Sequence, residues 1–259
     1  MRLASMWSHV ALLLPERQTK MLRSSWTLLL CADSLPPAQE PSAMKSARDR
    51  HHFSHFYISL LLVAVMVAGC ASPYRQGAGE FSTVIVDAGH GGFDRGGESL
   101  SGAPEKVLAL DTAKRLAKIL RSKGFRVIET RKRDVFVPLS TRTTISNRTR
   151  DSIFVSIHYN WGRRRGARGM EIYYFSPRSW RLASNILRQA TRAYPTESRG
   201  VKRNNFHVLR ENRRPAVLCE LGFVSNPQDN RYVQNSAYRQ RIAERVAEAI
   251  VIERQSAQR

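Results

Sequence analysis

Cysteine is scarce in this sequence. The 259 residues contain three cysteines, Cys31, Cys70 and Cys219. Three cysteines cannot form the regular framework of disulfides on which small secreted proteins depend. The fold must therefore rest on an apolar core, and a chain of this length with 42% hydrophobic residues can build one of domain size.

Acidic residues are also few. The chain has 21 Asp and Glu against 42 Lys and Arg, a formal net charge of +21. Such a balance suits a polyanionic partner, which means nucleic acid, a phosphate-rich membrane face or an anionic cell-wall polymer. The sequence has no internal repeat, and it lacks the motif spacings of the common nucleic-acid-binding modules. We therefore expect no nucleic acid among the partners.

Long hydrophobic runs are absent as well. The run "FYISLLLVAVMVAGC", residues 56–70, is short for a membrane span but has the length of the apolar region of a signal peptide. The basic segment "MKSARDRHH" from Met44 precedes it, and "VAGC" resembles the lipobox at which bacterial lipoproteins are cleaved and acylated. An ordinary membrane anchor that ends in a cysteine is the alternative, and either one exports the domain.

These signals divide the chain into four segments. We expect a non-native extension over 1–43, a lipoprotein signal peptide over 44–70, a polar tether over 71–81 and a catalytic domain over 82–259. Cys70 is the predicted lipidation site, which would anchor the exported protein to a membrane facing the periplasm. Ala71, rather than aspartate, follows Cys70 and resembles the sorting signal for the outer membrane of Gram-negative cells.

Apolar segments with the pattern of strands alternate with helical segments from residue 83 onward. We predict strands over 83–88, 125–130, 152–158, 169–176, 206–210 and 216–223. We predict helices over 105–123, 139–149, 178–194 and 235–254, with Gly124 ending the first helix. Near-continuous apolar strands with intervening helices indicate an α/β fold, in which a mostly parallel, twisted sheet of about six strands carries helices on both faces.

Histidines are rare after the signal segment, and two of the three lie at the ends of predicted strands. His90 comes after "VIVDAG" and His158 after "IFVSI", at the carboxyl ends where open α/β sheets bind ligands. Glu220 interrupts the apolar run "AVLCELGF", where a carboxylate needs a partner or a solvated cleft. Glu105 opens a helix after a glycine-rich loop that is long enough to fold back beside His90.

Two imidazoles and a carboxylate are a ligand set that catalytic zinc uses, but no compact metal motif such as H-E-x-x-H is present. Each residue also has a structural alternative. His90 could be a strand-end histidine that is hydrogen-bonded to the backbone. Glu105 could be an ordinary acid in the first turn of a helix, where the helix dipole stabilises it. Glu220 could be a paired structural carboxylate. His207 alternates with apolar neighbours in "FHVLR" and is interpreted as a structural strand residue. Asp87 either orients a ligand histidine or caps backbone.

Five blocks occur in a fixed order along the chain: "VDAGHGGFDRGG", "PEK", "FVSIHYN", "RGVKRNNFHVLR" and "PAVLCELGFVSNPQD". Together they resemble the signature blocks of the zinc-dependent N-acetylmuramoyl-L-alanine amidases of the AmiC-like, amidase-3 class, over about residues 82–254. The resemblance implies that His90, Glu105 and His158 bind Zn²⁺ and that Glu220 is catalytic. It also implies a peptidoglycan hydrolase that cleaves the amide between N-acetylmuramic acid and the L-alanine of the stem peptide by zinc-activated water.

Two other functions remain open at this stage. One is a zinc peptidase or deacetylase on the same scaffold, and the other is a wall-binding lipoprotein without turnover, which the presence of all four polar residues disfavours. The sequence does not reveal whether an activator protein takes part.

The basic cluster "GRRRGARG", 162–169, is either a solvated loop or a binding site for anionic groups of the substrate.

Overall fold

The computed structural model describes residues 77–258, which contain one six-stranded sheet. Its strands are β1 (Thr83–Ala88), β2 (Arg126–Glu129), β3 (Ser152–Asn160), β4 (Met170–Tyr174), β5 (Ser198–Arg203) and β6 (Ala216–Phe223). Their order in the sheet is β2-β1-β3-β6-β4-β5. In this order, the four strands from β2 to β6 are mutually parallel. Strand β4 runs antiparallel to β6 and parallel to β5. The predicted α/β fold with a mostly parallel sheet is therefore confirmed.

Helices cover both faces of this sheet, as predicted. They are α1 (Glu105–Ser122), α2 (Leu139–Arg148), α3 (Trp180–Ala190), α4 (His207–Arg210), α5 (Pro227–Gln234) and α6 (Ser236–Ala257). Helices α1, α3 and α6 pack on one face, and α2 and α4 pack on the other. Among residues 77–258, none of the helices has both the length and the apolar composition of a transmembrane span.

The two faces of the sheet differ in polarity because strand side chains alternate between them. The face under α1, α3 and α6 is apolar along its whole length and carries the main core, which includes Val86, Val155 and Cys219. The face under α2 and α4 is apolar only at one end, around Phe154 and Leu218. Towards the carboxyl ends of the parallel strands it becomes polar, with Asp87, Ser156, His158 and Glu220. The candidate site lies at this polar end.

Local signals explain where several helices begin and end. Gly124, two residues after the last residue of α1, adopts a φ of +78°, which confirms the predicted helix stop. Asn226 caps α5 through its side chain, which accepts hydrogen bonds from the backbone of Gln228 and Asp229. Glu105 is the first residue of α1, so its carboxylate lies at the positive end of the helix dipole.

Three elements differ from the sequence-based expectations. The predicted strand over 206–210 is wrong, because these residues form helix α4, in which the adjacent residues Val208 and Leu209 are both buried. Two neighbouring apolar residues fit either a strand or a helix turn, so the short run was ambiguous. Strand β5 and helix α5 were not predicted. Strand β5 is an edge strand with little apolar content, and α5 is a polar helix of eight residues.

The residues just before β1 pack against the domain. Ala78 and Phe81 are buried, although both lie in the segment predicted as a tether. The Ala78 amide donates to Glu253 Oε1 at 2.9 Å, and the Phe81 ring stacks on Phe125. The predicted extension, the signal peptide and the lipidation site Cys70 lie outside the described residues.

Candidate metal centre and active site

The carboxyl ends of β1 and β3 and the start of α1 bring together His90, Glu105 and His158. Glu105 Oε1 lies 3.1 Å from His90 Nε2 and 2.9 Å from His158 Nδ1. The three candidate ligand atoms all lie within 4.8 Å of one another. The fold thus assembles in one place three residues that are 15 and 53 positions apart in the chain.

This donor set fits a zinc ion. Ligand atoms of a tetrahedral zinc lie about 2.0–2.2 Å from the metal and therefore about 3.3–3.6 Å from one another. The His–Glu separations of 2.9 and 3.1 Å are slightly shorter, so a small outward movement of the side chains makes room for the ion. Imidazole and carboxylate suit zinc, and the partial exposure of both histidines leaves access for a fourth ligand.

A second acidic residue orients one imidazole. Asp94 Oδ1 lies 2.9 Å from His90 Nδ1, and a proton held on Nδ1 would leave the Nε2 lone pair available to a metal ion between His90 and Glu105. Backbone hydrogen bonds between Gly91 and Asp94 close a tight turn that returns Asp94 to the ring. Asp94 was not among the predicted site residues, although an acid within the glycine-rich loop was the available signal.

Glu105 is held as a carboxylate. Its Oε1 also accepts a hydrogen bond from the Tyr159 amide at 3.1 Å, and its Oε2 accepts one from the Gly97 amide at 2.7 Å. Burial acts to raise the pKa of Glu105, but the hydrogen bonds from His158 and His90 hold the pKa well below its usual range. The anionic form that a metal ligand requires is therefore favoured at neutral pH.

Two glycines leave room for these side chains. A Cβ atom on Gly89 would collide with the imidazole of His158. Gly96 has a φ of +69°, and a Cβ there would come within 2.5 Å of Glu105 Oε2. Larger residues at either position would displace a candidate ligand.

Two buried arginines hold the end of β1. His90 has a φ of +58°, which costs a residue other than glycine about 1–3 kcal/mol and must be imposed by its surroundings. Arg142 donates to the carbonyls of Ala88 and His90 at 2.6 and 2.8 Å. Arg131 donates to the carbonyls of Ala88 and Gly89 at 3.0 and 2.7 Å and to a carbonyl of the first turn of α1 at 2.8 Å. Neither arginine was predicted from the sequence.

Asp87 neutralises one of these guanidinium groups. Its Oδ1 lies 2.6 Å from Arg142 Nη1, and both side chains are almost fully buried. Burial acts to raise the pKa of Asp87, but Arg142 and the hydroxyls of Ser156 and Thr130 lower it. Among the described residues, the hydrogen bonds of Asp87 go to these partners and to neither ligand histidine. Asp87 therefore supports the site through Arg142.

Glu220 lies on β6 in register with His158 on β3, so the two side chains share one face of the sheet. Its Oε2 atom is shielded from solvent and has no hydrogen-bond partner among residues 77–258. Burial and the nearby carboxylates of Glu105 and Glu171 raise the pKa of Glu220 well above its ordinary value. A carboxyl group with this surplus hydrogen-bonding capacity and high proton affinity is available for chemistry.

Glu171 is the carboxylate opposite Glu220 on β4, and its environment is different. It accepts hydrogen bonds from Lys202, Arg199 and Tyr173, and these partners keep its pKa lowered although burial opposes them. The alternative of a paired structural carboxylate thus describes Glu171 rather than Glu220. The third histidine, His207, is outside the ligand cluster and begins α4.

The basic loop 162–169 follows β3 on the side of β6. The Gly162 amide donates to Ser225 Oγ at 2.9 Å, and Asn226 Nδ2 donates to the carbonyl of Arg165 at 2.7 Å. Arg163, Arg164 and Arg165 are exposed. This side of the site therefore presents positive charge to solvent.

The chain is similar in sequence to known proteins. The sequence profile of the N-acetylmuramoyl-L-alanine amidases matches residues 84–251. YrvJ of Bacillus subtilis is 39% identical over 174 residues, which are 67% of this chain and 34% of YrvJ. LytH of Staphylococcus epidermidis is 33% identical over 170 residues, which are 65% of this chain and 57% of LytH. This chain therefore spans about a third to just over half of the length of these two relatives.

A solved structure shows the same fold. The N-acetylmuramoyl-L-alanine amidase AmiC2 of Nostoc punctiforme superposes with a TM-score of 0.65 at 34% sequence identity. The superposition covers 71% of this chain and all of the AmiC2 chain.

Proposed function

The chain belongs to the N-acetylmuramoyl-L-alanine amidase family, and from this we propose that it hydrolyses the amide bond between N-acetylmuramic acid and the L-alanine of the stem peptide in peptidoglycan. One observation supports this proposal above the others. Two histidines and a glutamate converge at the carboxyl ends of adjacent strands, and Glu220, a carboxyl group without a hydrogen-bond partner for Oε2 among the described residues, lies in register beside them.

His90, Glu105 and His158 are the residues that would hold a zinc ion. When bound, zinc supplies a Lewis acid that polarises a carbonyl group and eases the deprotonation of a water molecule. Asp94 keeps the ring of His90 oriented, and the two buried arginines fix the backbone from which His90 projects. These contacts keep the ligand set in place before substrate arrives, which lowers the cost of ordering it.

Glu220 would handle the protons of the reaction. As general base it takes a proton from the attacking water, and it then passes this proton to the nitrogen of the departing L-alanine. A raised pKa makes the Glu220 carboxylate a stronger base than an ordinary carboxylate, which favours its role as acceptor of the proton. Burial beside Glu105 and Glu171 is the physical source of that property.

Product analysis tests the proposed function. Purified protein loaded with Zn²⁺ is incubated with peptidoglycan, and the soluble and insoluble products are analysed by mass spectrometry. We expect intact stem peptides that begin with a free L-alanine amino group, together with glycan strands that have lost their peptides. Protein treated with a metal chelator should release neither, and added Zn²⁺ should restore the release.

Other products would contradict the amidase proposal in distinct ways. New amino termini inside the stem peptide would identify a peptidase, and loss of acetyl groups from the sugars would identify a deacetylase. Binding to peptidoglycan without any product would identify a wall-binding protein.

We also propose that Cys70 carries the lipid that anchors the protein to a membrane facing the periplasm, as a peptidoglycan-directed lipoprotein would require. The support is the order of basic segment, apolar run and "VAGC" in the sequence. In cells fed a fatty-acid analogue, we expect the protein to be labelled and found in the outer-membrane fraction. Cys70→Ala should abolish the label, and Cys219→Ala should keep it. An unlabelled, soluble product of the native gene would exclude the anchor.

A further inference from the structure

Phe93 is the most exposed large apolar side chain among the described residues, and it lies three residues after His90. Its side chain is 80% exposed, and its ring stacks on that of Phe136 with 4.2 Å between ring centroids. Phe136 is 42% exposed, and Leu139, three residues later in the chain, is exposed as well. An exposed apolar cluster of this kind next to a reactive centre typically marks a ligand-binding surface. We call the stacked pair of Phe93 and Phe136 the aromatic platform.

The platform is held rigidly. Gly91 and Asp94 pair through their backbones, so Phe93 sits at the tip of a tight turn. The Gly92 amide donates to Asp134 Oδ1 at 2.8 Å, and Lys106 Nζ donates to the Gly92 carbonyl at 2.7 Å. A Cβ on Gly92 would approach the backbone nitrogen of Phe136 to 2.7 Å, which shows how closely the two loops pack. Binding to this surface therefore requires little ordering.

The platform lies near the candidate active site, so the substrate of that site is the ligand that can reach it. Three residues span at most about 11 Å, so the platform lies close to the ligand set that contains His90. The sugar or the peptide of a substrate cleaved at that site is therefore within reach of Phe93. The platform is formed by the loops that follow β1 and β2, whereas the basic loop 162–169 lies on the opposite side, next to the segment after β6.

The two parts of peptidoglycan differ in charge. The carboxyl group of muramic acid is consumed in the scissile amide, so the glycan strand is neutral, whereas the stem peptide carries free carboxylates. The exposed arginines of the loop 162–169 match the anionic peptide. Aromatic faces match the C–H faces of pyranose rings, and the carboxylates of Asp94 and Asp134 beside the platform can accept hydrogen bonds from sugar hydroxyls.

Resting on the proposed function, we infer that the aromatic platform of Phe93 and Phe136 is a subsite for the glycan strand of peptidoglycan. The sugar rings stack on Phe93, and the stem peptide extends towards the basic loop 162–169.

The test measures binding of a neutral β-1,4-linked oligosaccharide of N-acetylglucosamine, which has pyranose rings but no carboxylate, to the full chain, and it needs no catalysis. Phe93→Ala should weaken this binding about fivefold to tenfold, the factor expected for one lost aromatic contact. It should raise KM for glycan-bearing substrate by a similar factor with kcat little changed. Phe93→Tyr keeps an aromatic face and should bind like wild type. Trp180→Ala removes another exposed aromatic residue, far along the chain on α3, and should change neither quantity.

The outcomes separate this inference from the proposed function. Unchanged glycan binding in Phe93→Ala overturns the subsite, and so does a loss confined to isolated stem peptides or to anionic lipid vesicles. Glycan binding that depends on Phe93, in a protein that releases no stem peptides, supports the subsite and contradicts the amidase proposal. Release of stem peptides with glycan binding unaffected by Phe93→Ala contradicts the subsite alone.

Discussion

Glu220→Gln is expected to leave a folded protein with its full content of Zn²⁺ and to lower the release of stem peptides by about 10²–10⁴-fold, the usual contribution of general acid–base catalysis. The amide has the size of the carboxyl group but cannot take a proton from water at neutral pH. Glu220 Oε2 has no hydrogen-bond partner among the described residues, so the change breaks no observed contact there. It also removes a carboxyl group that faces the charges of Glu105 and Glu171.

Thermal unfolding, zinc content and single-turnover hydrolysis should be measured on one preparation. Glu197→Gln changes an exposed carboxylate whose partner is Arg168, and it should match wild type in all three measurements. A purely structural Glu220 would behave differently, because activity would then decline only in proportion to the folded fraction. Near-normal turnover by folded, zinc-loaded Glu220→Gln would end the catalytic assignment.

His158→Ala is expected to lower the affinity for zinc by more than about 100-fold, because loss of a direct ligand should exceed the 10–100-fold typical of supporting residues. Hydrolysis should fall to the level of the chelated protein. The fold should persist, since His158 lies on the polar end of one sheet face and the main core lies on the opposite face. Metal content by elemental analysis and competition with a chelator check the expected loss.

His207→Ala is the matched control for this experiment. His207 is the remaining histidine of the described residues, and it lies outside the ligand cluster. Its Nε2 is buried without a hydrogen-bond partner among residues 77–258, so its removal should leave zinc binding intact. Stoichiometric zinc in His158→Ala, or zinc loss in His207→Ala, would refute the assigned ligand set.

The strands that carry the candidate site were predictable because they are buried on both faces. Such strands are near-continuous apolar runs, and a polar residue inside or just after them is conspicuous. This contrast exposed Glu220 within "AVLCELGF" and His158 after "IFVSI", and the parallel arrangement predicted that their ends would meet. Glu105 was harder to find, because an acid in the first turn of a helix is common.

The supporting residues could not be predicted from local pattern. Arg131 and Arg142 look like surface residues in a sequence with 42 basic residues, yet both are buried. Their burial depends on hydrogen bonds to the backbone carbonyls at the end of β1. Every residue has a backbone carbonyl, so a sequence pattern does not show which carbonyls will accept these bonds. Strand β5 was missed for a related reason, since an edge strand is stabilised by pairing with β4 more than by burial of its side chains.

The arginine contacts at the end of β1 also bear on the order of two events, the folding of the domain and the assembly of the ligand set. They join groups 42–54 residues apart, so they form only after β2 and α2 have docked on the sheet. Until then nothing holds His90 in its unfavourable backbone conformation, and a nascent chain presents no assembled ligand set. Binding of metal at the proposed zinc site is therefore expected late in folding. A chain exported in the unfolded state would acquire its metal from the compartment in which it folds, and not from the one in which it is synthesised.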